Sequence, residues 1–129
     1  MRIYVAGKWS DKVKIKAFMN RLTALGHIIT EDWTLHPDGG PTKSKELLLA
    51  DAQADLAGID SADCFIAILD DPAYRYQGTF FELGYAVAQG KRVVVIMDPF
   101  FEKVAFLALP QVTRVTTHDV ALEILGKKK

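Results

Sequence analysis

Asp63-Cys64-Phe65-Ile66-Ala67-Ile68-Leu69 is an unbroken apolar run behind a single carboxylate, with no polar residue at alternate positions. A strand with one wet face would alternate, so this run predicts a strand covered on both faces, as in a parallel sheet between helices. Arg92-Val93-Val94-Val95-Ile96-Met97 repeats the pattern and is richer in β-branched residues. Upstream, Arg2–Gly7 reads as a first strand. Lys12–Leu25 reads as a helix, with Val13, Ile15, Phe18, Met19, Leu22 and Leu25 at mostly helical spacing and Gly26 as its stop. His27–Glu31 reads as a second strand and Asp32–Ser44 as a loop broken by Pro37, Gly39, Gly40 and Pro41. Lys45–Ala62 reads as a second helix. Downstream come a loop over Asp70–Gly78, a helix over Phe80–Gln89 and a short helix over Phe100–Ala108. Val112–Thr116 reads as an edge strand and Asp119–Leu125 as a last helix. Strands alternate with helices throughout, and crossovers are right-handed. The expected fold is therefore α/β: a flavodoxin-like, doubly wound parallel sheet of about five strands with helices on both faces. It forms one domain over residues 1–129.

Composition narrows the function. Half of the 129 residues are apolar, enough for a core. Sixteen basic residues balance sixteen acidic ones, which leaves no electrostatic footprint for a nucleic-acid polymer or a membrane surface. Lys127-Lys128-Lys129 is the only basic run and reads as a solvated tail. Cys64 lies inside the apolar run and has no partner for a disulfide, which suits a buried thiol in a reducing compartment. No signal peptide is visible, and no apolar run approaches the ~20 residues of a membrane span. A cytoplasmic protein is expected.

Open α/β sheets bind ligands outside the carboxyl ends of their strands. That rule selects Ala6–Asp11, Asp32–Ser44, Asp70–Thr79 and Asp98–Lys103. Within them, Gly7-Lys8-Trp9-Ser10 lacks the spacing of a phosphate-binding P-loop, and no Gly-x-Gly-x-x-Gly opens the first helix. His27, His36 and His118 have no metal-ligand spacing; only His36 sits in a loop from which it could reach a ligand. No cofactor and no metal are expected. The end of the first strand lacks the acidic cluster of a phospho-receiver. Carboxylates and aromatics remain: Tyr4, Trp9, Asp55, Asp70, Asp71, Tyr74, Tyr76 and Glu82. Carboxylates beside stacking rings suit glycosidic-bond chemistry on a nucleobase. Glu82 falls early in its expected helix, where the helix dipole would favour the ionised form and so a nucleophile. The same placement is also common for an ordinary surface glutamate.

Three segments carry a family resemblance. They are Ile3-Tyr4-Val5-Ala6-Gly7-Lys8-Trp9, Ala54-Asp55-Leu56-Ala57-Gly58-Ile59-Asp60-Ser61-Ala62-Asp63, and Gly78-Thr79-Phe80-Phe81-Glu82-Leu83-Gly84-Tyr85-Ala86-Val87-Ala88-Gln89-Gly90-Lys91. With their spacing they resemble the nucleoside 2-deoxyribosyltransferases and related nucleotide N-glycosidases over most of residues 3–97. The resemblance implies that Glu82 attacks C1′ of a deoxyribose and displaces the base. Tyr4 would hold Glu82 in line, and Asp55 would protonate the departing base. Transfer to a second base, or hydrolysis by water, would complete the cycle. A domain that binds nucleotides without turnover is the alternative from another class.

Several residues stay open between two tasks. Asp55 is either this acid or a solvated helix carboxylate, and Asp51, one turn earlier, would raise its affinity for protons. Asp63 either belongs to the site or turns the chain into its strand. Trp9 either stacks on the base or covers the first helix. Gly7, Gly78 and Thr79 are expected to approach the substrate. Tyr76 stands where some family members carry an Asp near the sugar 5′-hydroxyl. Lys8, Ser10 and Lys12 either hold a phosphate or are solvated. The Asp32–Ser44 loop is expected to select the base, and family members imply a homodimer or larger homo-oligomer.

Overall fold

The computed structural model describes residues 1–38 and 42–126; the expected loop breakers Gly39, Gly40 and Pro41 and the terminal lysine run lie outside them. Five parallel strands form one sheet in the order β2-β1-β3-β4-β5. They are β1 (Arg2–Ala6), β2 (Ile28–Ile29), β3 (Cys64–Leu69), β4 (Arg92–Met97) and β5 (Val112–Val115). The helices are α1 (Lys12–Ala24), α2 (Lys45–Asp60), α3 (Gln77–Ala88) and α4 (His118–Leu125). This is the flavodoxin-like arrangement. All six residues of β3 are buried, as its uninterrupted apolar run required.

The two faces are covered by different helix pairs. Arg21 of α1 bonds Asp119 of α4 at 2.6 Å, and Phe18 meets the His118 ring edge-on, so α1 and α4 are neighbours on one face. α2 packs beside α3 on the other. Strand order reverses between β1 and β3, because the chain runs outward to β2 and returns over the sheet to β3. The carboxyl ends of those two strands open the crevice that such folds use for ligands.

Boundaries differ from expectation in three places, each for a tertiary reason. β2 is two residues long, not five, because its ladder with β1 covers only Arg2–Ile28 and Ile3–Ile29. The Phe100–Ala108 segment forms two short 3-10 turns, Pro99–Phe101 and Ala105–Ala108, the first capped by the Asp98 side chain. α3 begins three residues early. Tyr76 adopts a left-handed backbone (φ 55°), and its carbonyl accepts from the Phe80 N–H, closing a turn over Gln77-Gly78-Thr79. Glu82 is thus the sixth residue of α3 and lies beyond the first turn. Phe81 of α3 is 68% exposed.

Asp63 turns the chain into β3. Its carboxylate accepts from the Arg2 N–H, and its own N–H donates to the Arg2 carbonyl. Cys64 is buried, and burial pushes its thiol up to about 11, where it is not a nucleophile at neutral pH. No described helix is long and apolar enough to cross a membrane.

Candidate active site

A cavity of about 460 Å³ opens at the carboxyl ends of β1, β2 and β3. Tyr4, Glu82, Asp55, Asp51, Trp9, Trp33 and His36 line it, with His36 on the side of the two aspartates. Gly7, Gly78 and Lys43 also border it. Tyr4, Asp55 and Glu82, far apart in sequence, are brought together because β1, α2 and α3 meet at the point where strand order reverses.

Tyr4 sits mid-strand on β1 with its ring stacked on Phe65 of β3 (5.7 Å, 15° between planes). Its hydroxyl donates to Glu82 Oε2 at 2.5 Å. The ring finds room because Gly58 of α2 carries no side chain; a Cβ there would come within 3.1 Å of the Tyr4 ring and 2.6 Å of the Glu31 Cβ. Tyr4 remains a neutral donor, since burial and the neighbouring carboxylates push its pKa far above the usual tyrosine range.

The two catalytic candidates among the carboxylates are not in the state the helix dipole alone would give. Burial raises Glu82 to about 7; the Tyr4 hydrogen bond opposes that rise, and the Asp55 charge adds to it. Desolvation in the second turn of α3 therefore outweighs the dipole, whose influence is confined to the first turn. Asp55 is raised to about 6, first by burial and then by Glu31 and Asp51, against the pull of His36. Its Oδ1 is buried without a hydrogen-bond partner, an acceptor turned into the cavity side of α2.

The remaining expected residues separate into two groups. Trp9, Gly7 and Gly78 border the cavity. Trp9 is tilted 40° against Trp33 at 6.1 Å, with Lys12 Nζ 4.5 Å from its ring centroid. Gly7 is also needed for packing, because a Cβ there would lie 2.5 Å from Ile15 Cδ1. Thr79 and Tyr76 are not among the cavity walls. Thr79 is buried within α3. Tyr76 is 1% exposed; its hydroxyl accepts from the Asp71 N–H at 2.9 Å, and its ring meets Tyr74 and Phe101 edge-on. Lys8 is bound to Asp71 at 2.6 Å, so it is already charge-paired.

Sequence reasoning assigned base selection to the Asp32–Ser44 loop without naming its residues. Trp33, His36 and Lys43 are the described ones that reach the cavity. Trp33 donates its indole N–H to the Val5 carbonyl at 2.6 Å, which fixes the ring at the end of β1. Glu31 was not singled out at all. Its only sequence signal is its place as the last residue of the expected second strand. Glu31, His36 and Asp55 bring side-chain N and O atoms within 4.8 Å of one another. That spacing would suit a cation, and within it Glu31 and His36 are already hydrogen-bonded together.

At its switch point the parallel α/β sheet carries two carboxyls of raised pKa, a tyrosine bonded to one of them, and two tilted indoles. The sequence profile of the family described as nucleoside 2-deoxyribosyltransferase matches residues 3–113, and the chain belongs to that family. Two solved structures share the fold. One is CMP N-glycosidase BcmB from Clostridium botulinum, with TM-score 0.62 and 20% identity over 97% of this chain and 98% of that one. The other is a 2-deoxyribosyltransferase from the psychrotolerant bacterium Bacillus psychrosaccharolyticus, with TM-score 0.72 and 22% identity over 99% and 98%. A comparison with curated protein sequences finds no match. General deoxyribosyltransferase or glycosidase chemistry on nucleosides follows from the family.

Proposed function

We propose that this protein cleaves the N-glycosidic bond of 2′-deoxyribonucleosides, or their 5′-monophosphates, through a covalent glycosyl-Glu82 intermediate and passes the deoxyribose to a second nucleobase. The observation that carries the reading is the Tyr4 hydroxyl bonded to Glu82 Oε2 at 2.5 Å, in the lining of the cavity that Asp55 also borders. Glu82 Oε attacks C1′ as the C1′–N bond breaks, and that bond's electron pair leaves on the base. Asp55 gives its proton to the departing ring nitrogen. A second base then attacks C1′ through nitrogen, returns a proton to Asp55, and frees Glu82. Trp9 and Trp33 offer a ring surface on which leaving and arriving bases can stack in turn.

Hydrolysis uses the same residues, with water in place of the second base. Chromatography of the purified protein incubated with deoxynucleosides and their monophosphates, with and without a free acceptor base, separates these outcomes. A new nucleoside that forms only with the acceptor supports transfer. Free base released without an acceptor replaces transfer by hydrolysis. No cleavage of any substrate by folded protein would reject the reading in favour of a binding domain.

A further inference from the structure

Asp55 is the acid of the scheme above, yet its own helix gives it only one like-charged neighbour, Asp51, one turn earlier. The opposing charges come from the connection between β2 and α2. Glu31 follows the edge strand and packs into the space left by Gly58, where a Cβ would approach its own to 2.6 Å. Its Oε1 lies 2.6 Å from His36 Nε2, and His36 Nδ1 faces Asp51 Oδ1 at 3.4 Å. The His36 ring thus lies between two carboxylates, hydrogen-bonded to Glu31 and close to Asp51. Lys43 pairs with the other oxygen of Asp51. A carboxyl and an imidazole, bonded to each other, thus lie within 4.8 Å of Asp55, whose Oδ1 has no hydrogen-bond partner.

We propose that Glu31 and His36 are positioning residues that set the proton on Asp55: Glu31 retains it there and His36 drives it off. The catalytic part of this inference rests on Asp55 being the leaving-group acid; the electrostatic part does not. The groups that face Asp55 are Tyr4 from β1, Glu31 and His36 from the β2–α2 connection, Asp51 from α2 and Glu82 from α3. Tyr4 is neutral, Lys43 offsets Asp51, and Glu82 is bound by the Tyr4 hydroxyl. Glu31 and His36 therefore form the pair of opposite sign whose balance decides the matter. The directions in which each acts on Asp55 agree: Glu31 upward, His36 downward.

The arrangement has a consequence that packing alone would not produce. Removing either partner leaves the other uncompensated, so two isosteric variants push Asp55 in opposite directions. The test is a carboxyl-carbon NMR titration of protein labelled with ¹³C-aspartate, in a Glu82→Gln background so that Asp55 titrates alone. The Asp55 signal is assigned by its loss in Asp55→Asn. At the parent midpoint, His36→Gln should raise the ratio of protonated to ionised Asp55 by about three- to tenfold, and Glu31→Gln should lower it similarly. Shifts in one common direction, or none, would overturn the proposal. With Glu82 restored, the acid limb of kcat/KM, which falls near the Asp55 value of about 6, should move to higher pH in His36→Gln and to lower pH in Glu31→Gln. Opposed NMR shifts in a protein that cleaves no substrate would uphold the electrostatic assignment and reject the glycosidic reading. Normal turnover with coincident titrations would do the reverse.

Discussion

At Glu82 the protein keeps a carboxyl where its charge is costly, and two measurements expose this. Its folded-state pKa, about 7, lies above the ordinary 4.5. The stability tied to this group is therefore full below pH 4.5 and is lost as pH rises through 7. Glu82→Gln should leave stability nearly unchanged at pH 4.5 and raise it at pH 8 by on the order of 3 kcal/mol, read from denaturant unfolding. The same variant should lower turnover by on the order of a thousandfold or more while circular dichroism is unchanged. The proposed reaction needs Glu82 ionised and Asp55 protonated, so its productive form holds one proton on the pair. A narrow bell in kcat/KM is expected, with limbs near 6 and 7 that belong to the pair jointly. A flat profile from pH 5 to 8 would count against this pairing.

At the scale of elements, α2 and α3 place the site through one missing side chain and one left-handed residue. Gly58→Ala would drive a methyl group against the Tyr4 ring and the Glu31 Cβ. A loss of about 1–3 kcal/mol in stability is expected. Tyr4 would also shift relative to Glu82, visible as a lower kcat. Tyr76 ties the start of α3 to the loop before it, through a hydroxyl that accepts from the Asp71 N–H and faces Asp70. Tyr76→Phe should therefore cost about 1 kcal/mol in urea unfolding. The existence of both helices was readable from apolar spacing, but the true start of α3 was not. Gly78 and Thr79 are weak helix formers, recruited with Gln77 because Tyr76 is anchored in the core by residues distant from them.

At the scale of the whole molecule, Phe80, Phe81, Val87, Val104, Phe106 and Leu109 line an apolar groove of about 610 Å³ on the outer side of α3. The family resemblance implied a homo-oligomer, and this face is where one would be expected to form. Light scattering should give a mass of two or more chains, and Phe81→Glu should lower it; a monomeric parent protein would remove the expectation. The order of strands, their parallel sense and the residues Tyr4, Asp55 and Glu82 were all legible in the chain. Local apolar periodicity selects helix or strand, right-handed crossovers limit the topology, and short motifs carry side chains of known chemistry. The sequence by itself thus determined the architecture and nominated the side chains that meet at the candidate site. Their protonation, the reach of His36 and Glu31 into the site, and the burial of Tyr76 were decided only by tertiary structure. Each depends on desolvation and on distances between residues far apart in the chain, which no local pattern encodes.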